Sequence, residues 1–244
     1  MTGRGKKGFT LIELMIVIAI IAVIAAIAIP GLISTQRSSY ERGSSTSMKT
    51  LAVAEADFRT NDRDGNGIND FWTADMKGLY TMTNCAVAGR AGGTVDPPIR
   101  LIELALACAD SDPATAPAGG ECMDVTQLGV VSAKSGYWYC ALLVDGALPS
   151  NADATYKQDT AGNVAMGTCH NMGRFGFVAF PESATFGKFV YMINEGNTIY
   201  RSATTSAVRT GTAIPPGVAG TGFINAYANW PDDTNLKSFW SKLD

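Results

Sequence analysis

GFTLIELMIVIAIIAVIAAIAIP, from Gly8 to Pro30, decides how the rest of the chain is read: it is a predominantly apolar run from Phe9 to Ile29 that contains one carboxylate, Glu13. As a helix rising ~1.5 Å per residue, that run spans roughly 30 Å, the thickness of a bilayer's hydrocarbon core. Arg4, Lys6 and Lys7 stand just ahead of it, as a basic inside flank does before a membrane helix. A secretory signal peptide has a shorter apolar region followed by a small-residue cleavage site, whereas here a full-length span follows the basic octet directly. The expectation is a single-pass anchor, with any processing ahead of the span.

Glu13 is the anomaly. An ionisable group in a membrane helix costs ~2.5–3.5 kcal/mol at the bilayer centre on insertion scales and less near an end, so it marks a function. It needs a partner. A cut between Gly8 and Phe9 creates a new α-amine, but a turn of helix separates that amine from the Glu13 of its own chain. A neighbouring subunit displaced along the helix axis brings its amine beside the carboxylate, where low dielectric strengthens the attraction.

The leader, Gly8, Phe9, Glu13 and Pro30, at these spacings, resemble the N-terminal motif of bacterial type IV pilins and pseudopilins, a likeness that covers about the first fifty residues. The resemblance implies a leader over residues 1–8, cleavage after Gly8 by a prepilin peptidase, N-methylation of Phe9 by the associated methyltransferase, and a docking role for Glu13. It also implies a subunit held in the bacterial inner membrane and then extracted by pilus or type II secretion machinery. There it joins other pilins in a helical filament that is periplasmic or extracellular. Major pilin, minor pilin and secretion pseudopilin are all compatible with the motif.

Pro30 removes a backbone donor and should kink or loosen the helix before Gly31. Beyond it, Tyr40, Ser47, Leu51, Ala54 and Phe58 recur at helical spacing among charged residues. One long helix is therefore expected over 9–59, transmembrane over 9–29 and amphipathic afterwards, with its second half against a head over 60–244. The fold class expected is α+β, the helix packing on an antiparallel sheet. GYWYCALLV (Gly136–Val144) and RFGFVAF (Arg174–Phe180) read as strands, and Lys188–Ile193 and Thr198–Arg201 flank NEGN as a hairpin. Ile99–Ala107 and Leu236–Leu243 read as short helices, and Pro113–Gly120 as a loop.

Composition narrows the functions. The chain is 46% hydrophobic with a formal charge of −3, and since three cations belong to the leader, the body is more acidic still; nucleic acid is not an expected partner. Cys85, Cys108, Cys122, Cys140 and Cys169 contain no CxxC pair, which removes zinc and thioredoxin-like readings. In an exported head they suggest two disulfides and one leftover thiol.

DRDGNGIND, Asp62 to Asp70, is the stretch with ligand spacing. On a calcium loop, Asp62, Asp64 and Asn66 take positions 1, 3 and 5, the Ile68 carbonyl position 7 and Asp70 position 9. Position 12, usually glutamate, is Thr73, with Asp75 a late alternative. The competing reading is a solvated turn in which Asp and Asn bond their own backbone and Gly65 and Gly67 adopt positive φ. Calcium here would staple the helix exit to the head, and opens a second functional class, a calcium-dependent adhesin delivered by the same helix. His170 beside Cys169 does not make a nucleophile pair, since neighbours on a strand face opposite ways. Tyr137, Trp138 and Tyr139 read as core, and no catalytic constellation stands out; an enzyme is not expected.

Overall fold

The computed structural model describes residues 8–65, 67–82, 99–110, 132–146, 148, 155–156, 170–183, 185–204 and 229–243. One helix dominates. α1 runs over Leu11–Thr60, 50 residues, close to the expected span, and it continues through Pro30 without a break in secondary structure. Its first half is exposed among the described residues, whereas Ser44, Ser47, Met48, Leu51, Ala52, Ala54, Glu55 and Phe58 are buried. That spacing is one helical face, and the head lies against it.

The head is built on a five-stranded antiparallel sheet in the order β2 (Tyr137–Ala141), β5 (Gly176–Pro181), β6 (Phe189–Asn194), β7 (Ile199–Ala203) and β9 (Ser241–Leu243). The α+β expectation holds. The alternation of side chains along these strands makes two cores. Tyr137, Tyr139, Phe177, Tyr191 and Ile193 face α1 and meet Met48, Leu51 and Phe58. Cys140, Val178, Phe180, Val190 and Met192 face the other way and are covered by Tyr156, Trp230 and Trp240. The sheet is therefore a middle layer. Each fully buried apolar side chain contributes about 1.5–3 kcal/mol, so the contact between α1 and the sheet is held mainly by hydrophobic burial.

Polar contacts set its register. Lys188 N–H donates to Glu41 Oε1 at 2.8 Å, Lys134 Nζ to Ser47 Oγ at 2.8 Å, and Lys49 Nζ to the Asn197 carbonyl. Tyr40 packs on Phe186, ring centroids 5.6 Å apart. Gly136 lies under that same ring: its φ is +71°, and a Cβ there would sit 2.3 Å from Phe186, so this turn into β2 requires glycine.

The hairpin around NEGN is found between β6 and β7, closed by Asn197 N–H donating to the Asn194 carbonyl at 2.9 Å. Two helix expectations need correction. Of Ile99–Ala107 only α3, Leu104–Ala107, is helical. The start of that stretch is instead held to α2 (Gly78–Thr81) and its end, with Ile99 N–H on the Met82 carbonyl, Leu101 N–H on the Leu79 carbonyl and Arg100 at φ +48°. At the other end, α4 covers Asp233–Phe239 and the chain then turns into β9, which pairs with β7. Burial of Trp240 marks the change. Two small pairings complete the head: β1 (Phe71–Trp72) with β4 (His170–Asn171), antiparallel, and β3 (Val144–Asp145) with β8 (Asn229–Trp230), parallel.

The expected loop over 113–120 and Cys85, Cys122 and Cys169 lie outside the described residues. Cys140 is buried on the outer face of the sheet, while Cys108 follows α3, whose Leu106 and Ala107 join the core on the α1 side. Neither is in a disulfide. The expectation of two disulfides among five cysteines is therefore not shown at these positions.

Candidate functional site

Two places carry the chemistry singled out in the sequence: the start of α1 and its exit. At the start, Thr10 is the N-cap and Glu13 the third residue of the helix, and together they form a reciprocal capping box. Thr10 N–H and Thr10 Oγ1–H both donate to Glu13 Oε2, at 2.8 and 2.7 Å, and Glu13 N–H donates to Thr10 Oγ1 at 3.3 Å. Sequence reasoning left Glu13 without a partner in its own chain; the structure supplies one. The signal was present as Thr-x-x-Glu, the spacing that satisfies two orphan donors of a helix start. The cap lowers the cost of an isolated carboxylate and turns it toward Phe9, at the positive end of the helix dipole.

Around that carboxylate the helix is apolar on all sides. Phe9 is 84% exposed and Ile27 76%, and the most apolar window of α1, with mean hydropathy 3.1, is 0% buried. By length and composition α1 can cross a membrane. A helix apolar all round requires lipid or other helices as its surroundings.

At the exit, Asp57 holds Arg63 through two bonds of 2.8 and 3.1 Å, and the chain turns back on itself. Asp62 has φ +44° and its Oδ2 accepts Gly67 N–H at 2.9 Å, while Gly65 and Gly67 have φ of +66° and +80°. The turn expected from Asp and Gly chemistry is therefore present. Asn66 lies outside the described residues.

The acids that follow are not solvated. Glu55, Asp64, Asp70, Asp75 and Asp110 are all buried. Asp75 Oδ1 accepts Trp72 Nε1–H at 3.1 Å and Gly78 N–H at 2.8 Å, and Asp110 Oδ2 accepts the N–H groups of Met76 and Lys77 at 2.8 and 3.1 Å. These two carboxylates hold backbone that would otherwise lose its partners on burial. Asp75, the late alternative of the calcium-loop reading, is thus engaged by the indole and backbone N–H groups of its own segment. Glu55 Oε2 accepts Trp72 N–H at 3.1 Å, and burial pushes the Glu55 carboxyl well above the ordinary carboxylate range, with the Trp72 N–H opposing and the Asp70 charge adding to the rise. Among the described residues no three acidic, histidine or cysteine side chains stand close enough to hold an ion. The His170 backbone pairs with Trp72 in the β1–β4 ladder.

Comparison with known proteins bears on the first of these two places. Residues 3–29 match the family described as "Prokaryotic N-terminal methylation motif". The type IV major pilin protein PilA of Myxococcus xanthus (strain DK1622) is 44% identical over 85 residues, 34% of this chain and 39% of that relative. The likeness thus spans about two-fifths of the relative's length. No solved structure matches.

Proposed function

From a chain whose N-terminal segment is similar to that of a type IV pilin, we propose a structural subunit of a pilus, polymerised through α1 with its head outward. The observation that carries this reading is the division of α1. Its first half is apolar apart from Glu13 and is exposed among the described residues, and its second half is fastened to a folded head. A single helix of this kind suits a subunit that rests in a membrane and later packs helix against helix. The pilin family is structural, so no enzymatic role is assigned.

The finer reading has three parts. A prepilin peptidase cuts after Gly8, the new Phe9 amine is N-methylated, and the incoming subunit docks that amine against the Glu13 of a neighbour. Assembly by inner-membrane machinery then moves apolar surface from lipid to filament core, in a pilus or in a secretion pseudopilus. The capping box supports the docking step, because it holds the carboxylate at the end of the helix where the amine arises.

Mass spectrometry of the mature N-terminus tests the processing step. A chain starting at methylated Phe9 is expected. Intact Met1 on protein isolated from cells with an active prepilin peptidase contradicts it and returns a plain signal anchor. The alternative of a calcium-dependent adhesin on the same anchor is separated by a binding assay: ligand capture that requires 62–70, in cells that make no filaments from this chain, favours it.

A further inference from the structure

Glu55 stands on the buried face of α1, in the row with Leu51 and Phe58, and is itself 0% exposed. Its Oε2 accepts the Trp72 N–H at 3.1 Å, which joins the helix to β1, and no protein group donates to Oε1. A carboxylate in such a place is strongly unfavourable unless a cation or several donors meet it.

Among the described residues neither is supplied. Of the elements packed on α1, β1, β5, β6 and α2 carry no charged side chain, and Arg201 of β7 lies over the Phe189 ring, 4.9 Å from its centroid. The cations around the helix exit are engaged elsewhere: Arg63 with Asp57, Arg59 over the Phe71 ring, and Lys77 with Asp75. Glu195, on the β6–β7 hairpin, lines a hollow with Ala52, Ala56 and Arg59 in which Glu55 has no part. Asp70, ahead of β1, is a like charge.

We propose that Glu55 is a proton-operated latch: as a neutral carboxylic acid it fastens β1 to α1, and loss of its proton loosens the helix exit. The neutral acid fits the geometry, because its carbonyl oxygen accepts the Trp72 N–H and the remaining hydroxyl is far easier to bury than a charge. Burial is the main force that holds the proton on; the Trp72 N–H opposes it and the Asp70 charge assists. The folded chain therefore keeps this proton at a pH where the unfolded chain has released it. The latch contributes fully below the ordinary carboxylate range, and its contribution is lost as pH rises above that range. It acts within one chain and holds whether or not the chain polymerises.

Full-length chain in detergent, labelled with carbon-13 at the glutamate carboxyls, is titrated by NMR. Its thermal midpoint is followed over the same pH range beside Glu55→Gln, which keeps an acceptor for the Trp72 N–H and cannot ionise. One carboxyl resonance, missing in Glu55→Gln, should remain at the neutral-acid position at about pH 7. The two midpoints should agree near about pH 4 and part as pH rises, the wild type falling behind by about 3–5 °C per pH unit. Should Glu55→Gln fold poorly, Glu55→Met takes its place: its midpoint starts lower, because the Trp72 N–H loses its acceptor, yet the wild type still loses ground on it as pH rises. Wild-type glutamate carboxyls that are all ionised at about pH 7 overturn the latch. So do midpoints that stay parallel across the range, or a wild type that gains on its variant with rising pH.

Discussion

Replacing Glu13 by valine should leave membrane insertion intact and abolish filaments. Insertion needs only the apolar span, and valine removes a polar group from it. Assembly needs the charge. A buried amine that loses its carboxylate costs about 3–5 kcal/mol, which multiplied along a filament stops growth. The capping box offers a finer test, because glutamine can still accept the Thr10 bonds but carries no charge. If the charge registers the incoming subunit, Glu13→Gln fails to assemble as Glu13→Val does. If Glu13 serves only to start the helix, Glu13→Gln assembles normally and the docking account is wrong. Filament yield sheared from cells, against membrane-bound chain, reads both variants.

Trp72→Ala should produce the largest loss of head stability, about 3–5 kcal/mol. Trp72 is fully buried, its backbone N–H is bound by Glu55 on α1, and its indole N–H is bound by Asp75. The ring packs so closely that a Cβ on Gly78 would lie 2.0 Å from Nε1. Truncation therefore opens a cavity and releases Asp75, itself 1% exposed, from one of its donors. Val53, on the same helix but 64% exposed, provides the control: Val53→Ala should shift stability by no more than about 0.5 kcal/mol. Thermal unfolding of the solubilised chain compares them. Equal midpoints for the two variants would show that β1 does not staple the helix exit.

The long helix, the head behind it and the strand alternation at Tyr137 to Ala141 were legible because periodicity survives folding: apolar side chains every 3.6 or 2 residues select one face. What failed depended on partners far along the chain. IRLIELALA has helical spacing, yet its first three residues bond the backbone of α2 and its end. SKL is too short to show a period and becomes a strand only because β7 offers an edge. At the candidate sites the shortfall was different in kind. The Thr10–Glu13 cap is legible as Thr-x-x-Glu, but the membrane cost of the charge points away from a partner in the same chain. Glu55 was readable too: with Leu51 and Phe58 it falls on the buried stripe at helical spacing, but its acid type assigned it to the polar side. Its neighbours in the fold, Asp70 and Trp72, come from a turn whose path the sequence does not set by period.

If this chain is built into a filament through α1, the most direct measurement is where it resides in cells that possess the assembly machinery. Filaments sheared from the surface, purified and probed by immunogold labelling against the head should carry this chain along their length, with the label on the outside. Purified filaments devoid of the chain, with all of it retained in the membrane fraction, would contradict the account.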